Sequence, residues 1–288
     1  MSVRIEAVTS SHGPDFAEAY AALAAEFAPR GELERREVMK RWLDEPAAPA
    51  PAGSPSPTFQ RSYFLLVARD QHGALAGVRD FHLVYDAEGA VAVVYLAHVL
   101  VLPAYRRSGL GARFRREPVE LARQALSAMG VDASAFDLLL AAEMEPAEPG
   151  ELASLVRLTA YGKEGFAAIA PSALPYCQPD FRLGDQQAPR PIPLLAIVRW
   201  LGHEDVATLP RRLAAAYVRH IYAVFATHVR ADHLTALMAR TLDALAASPL
   251  HREDDVPLLR LPRAIDDDAA FLPLSRAALV PFFPAELR

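Results

Sequence analysis

One cysteine in 288 residues, Cys177, rules out an internal disulfide and suits a reducing compartment. The N-terminus, MSVRIEAVTSSHG, has no apolar signal core. Long hydrophobic runs are missing too. The strongest, residues 90–102, is too short to span a bilayer as a helix and is interrupted by His98. Positive charge is not in excess: 30 Lys and Arg stand against 35 Asp and Glu, a formal net charge of −5. General nucleic-acid binding is therefore not expected. These absences point to a soluble, cytoplasmic protein with neither membrane nor nucleic acid as partner. The chain is 52% hydrophobic, enough for a sizeable core and too much for wholesale disorder. Much of that fraction is alanine, which favours helix.

Residues 3–8 alternate as a first strand, and Phe16, Tyr20, Leu23 and Phe27 then recur at helical spacing. Residues 32–45 read as a second, highly charged helix with Val38, Trp42 and Leu43 as its apolar contacts. Residues 46–57, PAAPAPAGSPSP, read as an extended, solvated connector, with a loop covering the substrate as the alternative. Three strands follow, at 63–69, 74–85 and 90–102. The short turns DQHG and DAEG between them imply antiparallel hairpins. Leu110, Phe114, Leu121, Ala125 and Met129 line one face of a helix, which Pro118 should kink or split. A buried strand at 136–144, a helix at 149–161, a short strand at 166–169 and an edge strand at 174–182 complete this part. After residue 190 the reading turns helical, over 192–201, 209–230 and 233–247. A proline- and aspartate-rich tail closes the chain.

The stretch VLPAYRRSGLGARF carries the most chemistry. A strand ends in Pro103. Arg106, Arg107, Ser108, Gly109, Leu110, Gly111 and Ala112 then lead into a helix. The first backbone N–H groups of a helix have no internal acceptors, and the helix dipole adds partial positive charge. Gly109 and Gly111 let a ligand approach the backbone closely, and the arginines favour an anion such as a phosphate. The pattern is neither a P-loop nor a dinucleotide fingerprint.

In its context of a Val-x-Pro-like strand end and Tyr105-Arg106-x-x-Gly109-x-Gly111, the segment resembles the acyl-CoA-binding motif of the GNAT superfamily of N-acetyltransferases. Tyr161-Gly162-Lys163-Glu164-Gly165-Phe166 resembles a second motif of the same family. The resemblance covers roughly residues 2–182. It implies an α/β (α+β) fold, with a mixed, mostly antiparallel sheet flanked by helices. A smaller all-α C-terminal region is expected to follow. The corresponding division is a GNAT-like acyltransferase domain at 1–185 and a helical extension at 190–288.

The resemblance further implies acetyl-CoA as co-substrate, no metal, and direct attack by an amine. The strands at 90–102 and 136–144 would splay to admit the pantetheine arm. Backbone near Leu100 and Val101 would donate to the thioester carbonyl, and residues 106–112 would hold the pyrophosphate. Tyr161 matches the family's general acid. For the base, Glu143 and His98 are the candidates, with a chain of waters as the third choice. Glu145 lies nearer the loop. A covalent role for Cys177 is not required. His220, His228 and His233 lack metal-ligand spacing, and Asp266, Asp267 and Asp268 read as a solvated turn. The acceptor, a small-molecule or peptide amine, is not specified by charge. A relative using longer acyl donors and a non-catalytic acyl-CoA-binding module are the alternatives. The apolar faces within 209–247 must pack on the sheet or on a second subunit, so a homodimer is compatible.

Overall fold

The computed structural model describes residues 3–45, 48–49, 59–148, 150–179, 190–248 and 255–283. The first elements are β1 (Val3–Ala7), α1 (Pro14–Phe27) and α2 (Arg36–Asp44). β2 (Ala48–Pro49) pairs with Arg61 and Gln60. The remainder of the proline-rich connector lies outside the described residues. Two 12-residue strands, β3 (Phe59–Asp70) and β4 (Leu75–Asp86), form the central hairpin. Its turn is built by Asp70, whose Oδ1 accepts from the N–H groups of His72 and Ala74, and by Gly73 at φ +82°. β5 (Val91–Tyr95), β6 (Val99–Val101), α3 (Leu110–Ala128), β7 (Asp137–Met144), α4 (Leu152–Lys163) and β8 (Ala167–Ile169) follow.

The second helix is shorter than its charge density suggests. Gly31, at φ +69°, ends the turn after α1, and Glu32 to Arg35 cross as a loop before α2 begins. Val38, Trp42 and Leu43 are buried as expected, and so is Met39. α3 is one helix despite Pro118. Its buried stripe is Leu110, Phe114, Pro118, Ala122 and Leu126, so the proline lies on the covered face.

The C-terminal third departs most from expectation. β9 (Cys177–Gln178) and β10 (Ile192–Pro193) make a separate two-stranded ribbon, in place of an edge strand spanning 174–182. β11 (Leu195–Trp200) is a strand, where the sequence reading placed a helix. It lies between β7 and β8, antiparallel to both. The run Leu195-Ala-Ile-Val is covered on both sides of its ladder and both faces, and such a continuous apolar run has no period to separate strand from helix. Pro191 and Pro193 before it, and the β-branched Ile197 and Val198 within it, favour the extended form. β12 (Thr208–Pro210) and β13 (Asp255–Arg260) complete the sheet, so the C-terminal region is mixed, not all-α. Its two long helices are present as α5 (Arg211–Phe225) and α6 (Ala231–Ala247).

The result is a mixed, mostly antiparallel sheet of 11 strands. The main path runs β1-β3-β4-β5-β7-β11-β8-β13-β12, with β2 on β3 and β6 on β4. Only β5 and β7 pair in parallel among the described strands. One face carries α1, α2 and α5. Trp42 packs edge-on against His82 at 4.6 Å and Phe225 edge-on against Tyr95 at 5.8 Å, while Phe27 lies tilted over His98 at 5.0 Å. The Tyr217 hydroxyl of α5 donates to Ala142 O (2.7 Å), so this helix docks on the sheet itself. The opposite face carries α3. There a side chain at Gly77 would strike Phe114 and the Leu100 carbonyl, which sets how closely helix and strand approach. Among the described residues, no helix is long and apolar enough to cross a membrane.

Candidate active site

β6 ends at Val101, and Leu102 N–H donates to Ala76 O (3.0 Å). One 3-10 turn, Pro103–Tyr105, follows, pinned by the Tyr105 hydroxyl on Asp70 Oδ2 (2.7 Å). Two left-handed residues, Arg107 at φ +65° and Gly109 at φ +84°, then swing the chain into α3. Gly109 is the N-cap residue, and no side chain caps this end. Ser108 Oγ reaches only Leu110 N–H, at 3.4 Å. Among the described residues the N–H groups of Gly109, Gly111 and Ala112 have no acceptor outside the helix, and they sit at its positive end. Arg106 and Arg107 are exposed beside them, with Arg106 Nε 3.4 Å from Val101 O. A Cβ on Gly111 would meet only Arg115 Nη1, at 3.5 Å. The turn is open to a ligand.

A gap in the sheet opens beside this turn. β5 and β7 pair as far as Tyr95 and Ala141, and Leu96 N–H still donates to Ala141 O (2.8 Å). Beyond that point β6 pairs with β4 alone, while β7 continues against β11 to Met144. The separation begins at a bulge. Between the pairs His82–Tyr95 and Arg79–Val99, three residues on one strand oppose two on the other. The bulge puts Tyr95 and His98 on the same face, which strict alternation forbids. It also decides which backbone groups face the gap. Leu102 N–H bonds Ala76 O and Asp80 N–H bonds His98 O, so Leu100 belongs to the pair bonded across to Val78. Val99 and Val101 therefore turn their amides into the gap. The donor expected around Leu100 and Val101 is thus offered by Val101 and Val99, not by Leu100.

A row of polar side chains crosses the gap on the face covered by α1, α2 and α5. Glu143 is half-buried. Its Oε1 accepts from the Tyr176 hydroxyl (2.5 Å), and its Oε2 from Tyr95 (2.5 Å) and Gln178 Nε2 (3.2 Å). Burial pushes its pKa up to about 7, against the lowering effect of the two tyrosine hydrogen bonds. Burial also raises the phenols of Tyr95 and Tyr176 well above their ordinary value, so both remain donors.

His98 is buried, with Nδ1 on the Asp80 carboxylate (3.1 Å) and Nε2 on the Glu32 carbonyl (2.8 Å). Burial alone would depress its pKa. The Asp80 charge and hydrogen bond, the Glu34 charge and the Glu32 carbonyl outweigh it and lift the pKa to about 10. Both nitrogens donate, so at neutral pH the ring is a fixed cation with no lone pair to accept a proton. This removes His98 as the general base. The expectation failed because the partners come from β4 and from the α1–α2 loop, far away in sequence.

That loop also contributes Glu34, which the sequence reading did not single out. Its side chain is 3% exposed, and its Oε2 lies 3.9 Å from His98 Nε2. Oε2 has no hydrogen-bond partner. Burial raises this carboxyl to about 7, with the His98 charge opposing and Asp80 adding to the rise. A glutamate in what looks like a charged helix gives no sequence signal of burial. Only the loop from Gly31 turns it inward.

Tyr161 lies on α4, with its ring edge-on to Phe166 at 5.0 Å and Arg115 of α3 over it at 5.8 Å. Among the described residues its hydroxyl has no hydrogen-bond partner. Arg115 also pairs with Glu164 (3.3 Å), so one guanidinium ties the glycine turn's helix to Tyr161. Glu145 pairs with Arg157 and is not drawn into the row. Cys177 is buried and its thiol is pushed up to about 12, far from a thiolate. Burial lowers His220 to about 4 and His228 to about 3. Asp267 caps a short helix by accepting from Ala270 N–H. Among the described residues no group of three His, Cys, Asp or Glu is arranged to hold a metal ion.

No protein-family profile and no curated protein matches the sequence. Solved structures similar to the chain include Arabidopsis thaliana Naa50 with a CoA-Ac-MVNAL bisubstrate analogue, at 12% identity and TM-score 0.39, covering 69% of this chain and 99% of that one. A tandem GNAT protein from the clavulanic acid biosynthesis pathway has 20% identity and TM-score 0.39, over 62% of this chain and 47% of that one. An aminoglycoside acetyltransferase from an uncultured soil metagenomic sample, in complex with sisomicin, has 12% identity and TM-score 0.36, over 52% and 82%.

Proposed function

We propose that the chain is an acyl-CoA-dependent N-acyltransferase of the GNAT type, moving an acetyl group from acetyl-CoA to a primary amine. The observation that carries this reading is the uncapped glycine turn opening beside a gap in the sheet. A diphosphate ester needs unspent amides and close approach, which Gly109, Gly111 and Ala112 offer, with Arg106 and Arg107 adding charge. The pantetheine arm needs free strand amides and carbonyls; Val99 and Val101 present amides, and the Val101 carbonyl is met by Arg106 Nε.

Acetyl-CoA supplies an activated acyl carbon, so the protein need not form a covalent intermediate. Its residues have three tasks. The Val101 or Val99 N–H donates to the carbonyl oxygen as negative charge grows there. Glu143, half-buried and near neutrality in pKa, takes a proton from the amine. Tyr161, with its hydroxyl free, gives a proton to the departing sulfur, an undemanding step for a thiol of ordinary pKa near ~8.5.

Calorimetry with acetyl-CoA, followed by thiol release across a panel of amines, tests the reading. Acetyl-CoA binding accompanied by turnover supports it. Binding without turnover on any amine leaves an acyl-CoA-binding module, and no binding at all removes the glycine turn as the site.

A further inference from the structure

The polar row carries more negative than positive charge. Asp80, Glu34 and Glu143 are carboxyls, and His98 is the one cation that acts on them. The tyrosines and the remaining histidine of the row are neutral, and one further cation, Arg61, reaches it from the side of His82. Tyr63, Tyr95, Tyr176 and Tyr217 are phenols held above their usual range by burial, and His82 is driven well below its own by burial. Arg61, beyond Trp42, acts on His82. Continuity is short-range. Glu34 meets His98 at 3.9 Å, His98 meets Asp80 at 3.1 Å, and Asp80 meets Tyr63 at 3.2 Å. The rings of Tyr63 and His82 are 4.8 Å apart, those of His82 and Tyr95 6.2 Å, and Tyr95 ends on Glu143.

Two acceptors in this row are unfilled, one ring nitrogen of the neutral His82 and Glu34 Oε2, and of the two only Glu34 is a carboxyl. Glu34 Oε2 is buried, and its nearest cation spends the proton on Glu32 O. A buried carboxylate oxygen without a donor is expensive. Glu143, at the other end, has three donors already and keeps its solvent contact. What the row lacks is positive charge with several N–H donors, which an alkylammonium provides.

We propose that the acceptor is a primary alkylamine, cationic at neutral pH, whose ammonium is received by Glu34 Oε2 and passed to Glu143, and that amines bearing a carboxylate on the adjacent carbon are refused. A carboxylate there would face Asp80, Glu34 and Glu143 together. The proposal rests on the transferase reading for its chemistry, though not for the cation site. In the reaction the ammonium loses one proton to Glu143, and the nitrogen lone pair forms the C–N bond. The C–S bond breaks, and a second N–H proton ends on sulfur. Ammonium and thioester thus give amide, thiol and one released proton.

The test uses the full chain in two assays. The first is thermal melting with 1,5-diaminopentane, with glutamate, or with sodium chloride at equal ionic strength, all without acyl-CoA. The second is thiol release with acetyl-CoA and the same two amines. Diaminopentane is expected to raise the melting temperature saturably in the wild type and not in Glu34→Gln. It is also expected to be the turned-over acceptor, with KM at least about tenfold higher in E34Q and kcat changed little. Equal turnover of glutamate and diaminopentane, or an E34Q protein that binds diaminopentane as the wild type does, overturns the proposal. A Glu34-dependent shift with no acetyl-CoA binding keeps the cation site and removes the transferase. If E34Q does not fold, the wild-type contrast between the two amines decides.

Discussion

A methyl group at Gly111 would touch only Arg115 Nη1 at 3.5 Å, and the position is inside α3 with ordinary helical backbone. Gly111→Ala should therefore stabilise the fold, by up to about 1 kcal/mol, while its methyl occupies the space a phosphate needs. The expected result is a melting temperature equal or higher, with acetyl-CoA affinity at least about tenfold weaker, some 1.4 kcal/mol. Unchanged affinity would remove the close approach at this residue. Glu143 gives a second prediction. Its base form is the carboxylate, present above a pKa of about 7. Acylation kcat/KM should rise with pH below that value and level off above it. Glu143→Gln should lower kcat/KM by roughly 10² to 10⁴ and abolish that rise. Loss of rate with the pH limb intact would assign the base elsewhere. Glu143 and Tyr161 could be singled out from the sequence because each belongs to a local pattern, a buried strand end or a motif. Glu34 and the true state of His98 could not be. Their environment is made by Asp80 on β4 and by a loop turned at Gly31, contacts that no window of sequence contains.

At the scale of elements, the hairpin and the glycine turn were readable because turn chemistry is local: Asp70 and Gly73 build the one, Gly109 and Gly111 open the other. β11 was not, since a short apolar run buried on all sides has no period. Its place between β7 and β8 comes from ladder partners far back in the chain: opposite Ile197 lie Ala142 of β7, 55 residues earlier, and Ala168 of β8, 29 residues earlier. The insertion has an energetic consequence. β7 carries Glu143, and among the described residues its only strand partner beyond Ala141 is β11. Ile197→Pro removes a ladder donor and a fully buried side chain from a central strand, a cost of about 3–5 kcal/mol. Against a total stability of order 5–15 kcal/mol, the variant should melt far lower, and Glu143-dependent turnover should fall even at temperatures where it stays folded. Retention of wild-type melting would mean that β11 is not a working member of the sheet.

For the whole molecule, the buried titratable groups oppose one another, and the sign of each fixes a window. His82, His220 and His228 have folded pKa values below the ordinary 6.5, so the unfolded chain binds more protons there and stability rises with pH up to about 6.5. Glu34 and Glu143 are raised from 4.5 to about 7, so the folded chain holds the extra protons and stability falls across that interval. Three histidines against two glutamates leave a net rise of one proton's worth below pH 6.5. His98 reverses the balance above it. Its pKa is lifted from 6.5 to about 10, so its contribution is complete below 6.5 and is lost as pH climbs towards 10. Melting temperature should therefore peak near pH 6.5 and decline steadily on the alkaline side, between pH 7 and about 10, as the folded chain gives up the His98 proton. His98→Gln should flatten that limb while lowering the peak, because Asp80 and Glu34 would keep their burial and lose their cation. A wild-type curve that keeps rising to pH 9 would mean that His98 is not held as an imidazolium. The cation-poor row on which the acceptor site depends would then need a different account of its charge.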